Sequence, residues 1–155
     1  MYTRKYILLF LFTAFCFTDC KKYPEGPAFS LRTKKQRVTG GWEIETFLIN
    51  GADSTTTLPR SPFNSIYPCY YTFGPSGSNR DYTIGGACEN GIWSFSEDKT
   101  KINIDITAFS IQQHSAFLTD GPISWDIQRL TNKQMWLKAN NNGSEYWIKF
   151  KKIEK

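Results

Sequence analysis

Ile92-Trp-Ser-Phe-Ser-Glu-Asp-Lys-Thr-Lys-Ile-Asn-Ile-Asp-Ile-Thr107 decides the architecture. Two runs of strict alternation flank the polar residues 97–100, the period of a strand with one buried face. Facing residues in an antiparallel hairpin have a constant index sum. Centring the turn between Asp98 and Lys99 gives a sum of 197. Trp93 then faces Ile104 and Phe95 faces Ile102, while Ser94, Ser96, Lys101 and Asn103 share the other side. A one-residue slip would destroy this agreement.

The pattern continues outward from this hairpin. Trp42, Ile44, Thr46 and Leu48 alternate with Glu43, Glu45, Phe47 and Ile49, and Asn50-Gly51 follows as a turn signal. A polar stretch with Pro59 and Pro62 comes next, and then residues 69–74, 81–88, 123–130, 134–139 and 145–153 read as further strands. Only 109–122 is a longer link among these later strands. The 12 Phe, 8 Tyr and 5 Trp suit pleated, half-buried surfaces. Eight strands joined mostly by short turns predict an antiparallel up-and-down meander, since parallel strands need long crossovers. Closing it into a barrel removes the exposed edges and leaves an interior that side chains fill or one small ligand occupies. Ahead of the first strand, Leu31-Arg-Thr-Lys-Lys-Gln-Arg-Val38 predicts a short surface helix with Leu31, Lys35 and Val38 on one face.

The same arithmetic bears on two cysteines. The Pro75–Arg80 turn centres near Ser78 and Asn79, for a sum of 157. Phe73 then faces Ile84, Tyr71 faces Gly86, and Cys69 faces Cys88. Directly opposed residues bring their Cα atoms to the short end of disulfide range. A Cys69–Cys88 disulfide is expected if the chain is exported to a compartment where disulfides persist; two buried free thiols are the alternative.

The N-terminus argues export. Arg4 and Lys5 precede an apolar run from Tyr6 to Phe17, and Cys20 opens the polar, Pro/Gly-containing stretch Cys20-Lys-Lys-Tyr-Pro-Glu-Gly-Pro27. Basic start, short apolar run and exit cysteine make a bacterial lipoprotein signal. A transmembrane span would need about 20 apolar residues, and plain secretion would want small residues where Phe17-Thr-Asp19 stands. Asp19 is also a loose fit to a lipoprotein cleavage site. The expected organisation is a signal peptide over 1–19, a lipidated tether over 20–30 and a single barrel domain over 31–155. Removing Arg4, Lys5 and Asp19 with the signal lowers the full-length charge of +5 to +4. A cationic chain is drawn to an anionic membrane surface, and nucleic acid is not an expected partner in that compartment. The expected placement is the outer membrane, and on its periplasmic side because Lys21 and Lys22 stand directly after Cys20, where bacterial lipoproteins that reach the cell surface often carry acidic residues.

These residues resemble a family. Cys20-Lys-Lys, the basic stretch through Val38 and Gly40-Gly-Trp42 look like the start of lipocalin-like lipoproteins of Bacteroidetes-type bacteria. Trp125-Asp-Ile-Gln-Arg-Leu-Thr131, Met135-Trp-Leu137 and Tyr146-Trp-Ile-Lys-Phe150 resemble that family's last three strands. The resemblance implies an all-β, eight-stranded lipocalin-like barrel with a short N-terminal helix. It implies no reaction and contributes no catalytic residue. Apolar-ligand binding would follow only from analogy of fold.

The chemistry of catalysis is sparse. The sequence holds no Gly-rich phosphate loop, no Cys-x-x-Cys and no Gly-x-Ser-x-Gly elbow. His114 stands in a polar part of the long link, with no partner that the sequence identifies to make it a general base. No enzymatic activity, cofactor or metal is expected. The lead reading is a membrane-anchored barrel that binds a small apolar or amphipathic ligand, with Trp42, Trp93, Phe95 and Trp136 as candidate lining. The alternative is a filled barrel serving as a structural or interaction accessory to an envelope complex. Interior volume separates the two: a cavity of about 300 Å³ or more is what a ligand needs.

Overall fold

A computed structural model describes residues 31–58, 70–75, 82–86, 89–109, 116–117 and 121–154. Cys20, Cys69, Cys88, His114 and the expected signal and tether lie outside these residues.

Helix α1 spans Lys34–Val38. It starts three residues later than the sequence suggests because Thr33 is an N-cap. The Thr33 hydroxyl accepts from the Gln36 amide at 3.2 Å, and the Thr33 amide donates to the Gln36 side-chain oxygen at 2.9 Å. This reciprocal capping box holds Thr33 in extended backbone. The expected Leu31/Lys35/Val38 face therefore does not form: Leu31 lies ahead of the helix and is 91% exposed, whereas Val38 is buried.

The strands are β1 (Gly40–Ile49), β2 (Ala52–Asp53), β3 (Tyr70–Pro75), β4 (Tyr82–Gly86), β5 (Glu89–Phe95), β6 (Lys101–Phe109), β7 (Ile123–Leu130), β8 (Gln134–Asn141) and β9 (Ser144–Lys152). All pairings are antiparallel, and β3 to β9 follow one another in chain order. β1 pairs with β3 through Gly40–Glu43 and with β9 through Trp42–Ile49, so the order of eight long strands returns to its start. This is the expected up-and-down meander. The two-residue β2 is an addition. It folds back on β1 after Asn50 and Gly51, whose φ values of 51° and 81° give the left-handed turn that suits a hairpin's twist.

Both index sums hold. Trp93 pairs with Ile104 and Phe95 with Ile102; Tyr71 pairs with Gly86 and Phe73 with Ile84. The turn between β5 and β6 is fastened by Asp98, whose carboxylate accepts from Ser96 Oγ at 2.7 Å and from the Thr100 amide at 3.0 Å. Three pairings carry bulges. One lies between Ile44 and Thr46 where β1 meets β9, and it changes the phase of β1: Trp42 and Ile44 face inward, Glu45 faces solvent, and Phe47 takes the next inward place. A second lies between Asn90 and Gly91, opposite β6. The third lies between Ile127 and Arg129, opposite β8.

Inward residues from every described face make one core. Its largest members are Trp42, Tyr71, Phe73, Trp93, Phe117, Trp125 and Phe150, all buried. Gly91 has no alternative in this core, because a Cβ there would collide with the Asp105 carbonyl of the neighbouring strand.

Candidate functional site

The barrel interior is where the ligand expected from the sequence would sit, so its contents decide between a filled and a ligand-holding barrel. β1 contributes Trp42, whose indole N–H donates to the Val38 carbonyl at 2.7 Å and ties the end of α1 to the core. β3 contributes Tyr71 and Phe73, β5 Trp93, β7 Trp125 and β9 Phe150. The remaining ring, Phe117, belongs to no strand. It comes from the link between β6 and β7 and is fully buried. Its ring lies stacked on Phe150 (centroids 6.0 Å apart, planes at 19°) and meets Tyr71 edge-on at 5.0 Å. Phe73 and Trp125 approach it edge-on at 6.5 and 6.2 Å. Aromatic pairs prefer these separations and tilts. The middle of the aromatic core is thus occupied by a side chain of the protein itself.

The candidate lining residues separate into two groups. Trp42 and Trp93 lie in this core, with Phe95 partly buried beside Trp93 at 5.4 Å. Trp136 is on the outer wall. Its ring lies between the Arg129 guanidinium at 5.0 Å and the Lys149 ammonium at 4.8 Å, both on neighbouring strands. Trp147 is arranged likewise, with the Lys138 ammonium 5.2 Å from its ring and its indole N–H donating to Glu145 at 2.8 Å. These outward tryptophans stabilise the wall through cation–π contacts. Trp147 pairs with Leu48 of β1, and Trp42 pairs with Lys152, so no two tryptophans face each other across the β1–β9 pairing.

Sequence reasoning missed Phe117 and Lys152. The signal for Phe117 was Ala116-Phe117-Leu118, an apolar triplet inside a polar link. Lys152 sits in a run of C-terminal lysines that reads as a solvated face. In the structure its ammonium lies 4.1 Å from the centre of the Trp42 ring. It donates to the Thr39 carbonyl at 2.6 Å and to the Arg37 carbonyl at 3.3 Å. It therefore caps the last turn of α1 and fastens the helix to β9. Partial burial, reinforced by the Arg32 guanidinium, brings its pKa down to about 8.

Around this point the surface forms an open groove of about 930 Å³ between β1, β9 and the β7–β8 turn, with Arg129, Lys133, Lys151 and Lys152 among its lining. Glu43 and Glu154 in its wall are paired with Lys151 at 2.6 Å and Lys133 at 2.8 Å. Among the described residues no group of three His, Cys, Asp or Glu side chains could hold a metal ion.

No protein-family model and no curated protein matches the sequence. A solved structure, that of a lipocalin-like protein from Bacteroides uniformis, is similar at 13% identity and a TM-score of 0.47, with 76% of this chain and 99% of that one covered. The architecture rests on the strand pairings of this chain, which give the eight-stranded up-and-down fold directly.

Proposed function

We propose that the chain is a lipoprotein of the bacterial cell envelope, anchored by lipid on Cys20, whose filled barrel acts through its outer surface as an accessory to an envelope complex. The carrying observation is Phe117. A ring from a link, stacked on Phe150 and edged by Tyr71, Phe73 and Trp125, takes the central place that a guest would need. The basic start, short apolar run and exit cysteine support the anchor. The cysteine-proximal lysines support the periplasmic face of the outer membrane. The reading assigns no reaction.

Storage of a small apolar or amphipathic ligand is the second reading. It is favoured by the Trp125 indole N–H, which is buried and has no hydrogen-bond partner among the described residues. A guest with a polar end would satisfy it. Native mass spectrometry of the purified full-length protein, with titration by an apolar fluorescent probe, separates the two. The filled barrel predicts no co-purified ligand and no saturable binding. One probe bound per chain, with quenched tryptophan emission, would establish the ligand reading instead.

A further inference from the structure

The charges of this barrel are sorted by end. One end is formed by α1, the β5–β6 and β7–β8 turns and the adjoining strand termini, residues 31–43, 96–101, 126–134 and 151–154. Among the described residues these carry ten Lys or Arg against five Asp or Glu, an excess of five positive charges. Three of the five carboxylates are already matched by lysines: Glu43 with Lys151, Asp126 with Lys101 and Glu154 with Lys133. The described residues of the opposite end carry no such excess: Glu145 there is paired with Lys138 at 2.6 Å. Residues 50–58 and 141–145 contain Asp53 and Glu145 and neither lysine nor arginine.

Two further observations fall on the cationic end. Of the three large apolar side chains that are exposed among the described residues, Leu31 (91%) and Ile153 (39%) both lie there. Ile153 is set beside Gly41 by its amide, which donates to the Gly41 carbonyl at 3.0 Å. In addition, the described chain begins at this end. Leu31 lies eleven residues beyond Cys20, the start of the tether, a reach of at most about 40 Å. An anchored barrel can therefore bring this end to the bilayer.

We infer that the helix-bearing end is a docking surface for an anionic phospholipid bilayer. Arg32 and Lys35 of the helix segment meet the headgroup phosphates, and Lys133 and Lys151, exposed at the strand ends beside their carboxylate partners, exchange those partners for phosphate. Leu31 and Ile153 enter the interface between them. Exposed apolar side chains ringed by cations fit a lipid surface, which offers phosphate and hydrocarbon within a few ångströms of each other. The inference rests on the proposed anchor for proximity, and on the geometry alone for which end faces the membrane.

The test uses the full-length lipidated protein on vesicles of phosphatidylcholine, or of phosphatidylcholine with equimolar phosphatidylglycerol. Backbone hydrogen exchange is read in both. Attachment to the neutral vesicles reports the anchor; the difference between the two compositions reports docking. Docking predicts slower exchange at 31–36 and 131–133 on the anionic vesicles alone, with 50–54 and 141–144 unchanged. Raised salt should abolish the effect, because the screening length falls from about 10 Å at 0.1 M to about 3 Å at 1 M. Lys35→Glu with Lys133→Glu should reduce it by far more than the roughly fivefold that one cation at an anionic surface supplies. Equal exchange on both vesicles, slowing at the opposite end, or the same slowing with inorganic phosphate alone would overturn docking while leaving the anchor intact.

Discussion

Phe117 stacks on Phe150 with ring centroids 6.0 Å apart and planes 19° from parallel. A link residue is thereby packed against the last strand, and the link between β6 and β7 becomes part of the core. Phe117→Ala should lower the unfolding free energy by about 3–5 kcal/mol, the usual cost of emptying a buried phenyl site. Urea unfolding is the measurement. A loss below about 0.5 kcal/mol, within the range of surface changes, would show that the ring is peripheral.

Gly91 should tolerate no side chain. A Cβ there would meet the Asp105 carbonyl and the Ile106 Cα beside a bulge, and the obstruction is backbone, which cannot swing aside. Gly91→Ala is expected to cost about 1–3 kcal/mol or more, as overpacking does. Ser94→Ala, at an exposed position on the same strand, should cost less than about 0.5 kcal/mol. Equal melting temperatures for the two variants would refute the close approach.

A disulfide between Cys69 and Cys88 is the third expectation. The pairs of Tyr71 with Gly86 and Phe73 with Ile84 keep the sum of 157 that joins these cysteines in the sequence. The bridge would close a loop of about 20 residues, for which unfolded-state entropy suggests roughly 3 kcal/mol of stabilisation. Thiol counting on denatured, unreduced protein should find neither cysteine free. Two reactive thiols would reject the pairing.

Lys152 makes a pH prediction. Its folded pKa is near 8, against an ordinary lysine value of 10.5. Between these values the unfolded chain holds a proton that the native chain has released, so stability rises with pH across the window. Below it the cost of the buried ammonium is present in full, and above it the cost is gone. Lys152→Met removes the titration. The stability of the native sequence relative to this variant should therefore improve from pH 8 to pH 10.5. A constant or declining difference would contradict the assignment.

Cys20→Ala should abolish lipidation and release or mis-sort the protein. Metabolic labelling with palmitate followed by fractionation reads both. Undiminished label in the variant would remove the anchor from the proposed function.

Strand order and two registers are legible in the amino-acid pattern alone. Those are local relations: Trp93 and Ile104, or Phe73 and Ile84, lie across one turn, and their alternation admits a single phase. Thr33 and Gln36 also carry the spacing of a capping box, which starts α1 at Lys34, whereas an apolar-face pattern alone extends it back to Leu31. The bulge at Glu45 was not legible, because it reconciles β1 with β9, more than a hundred residues away. The site divided in the same manner. That Trp42 and Trp93 belong inside followed from their faces, whereas Trp136 and Trp147 needed the structure, which sets Arg129, Lys149 and Lys138 beside them from adjoining strands. Phe117 filling the interior, and Lys152 fastening α1 over Trp42, are meetings of distant segments. Pattern fixes which side of a strand is apolar. Which distant side chain completes the core depends on the volume left once the strands are packed together, a quantity that no local pattern encodes.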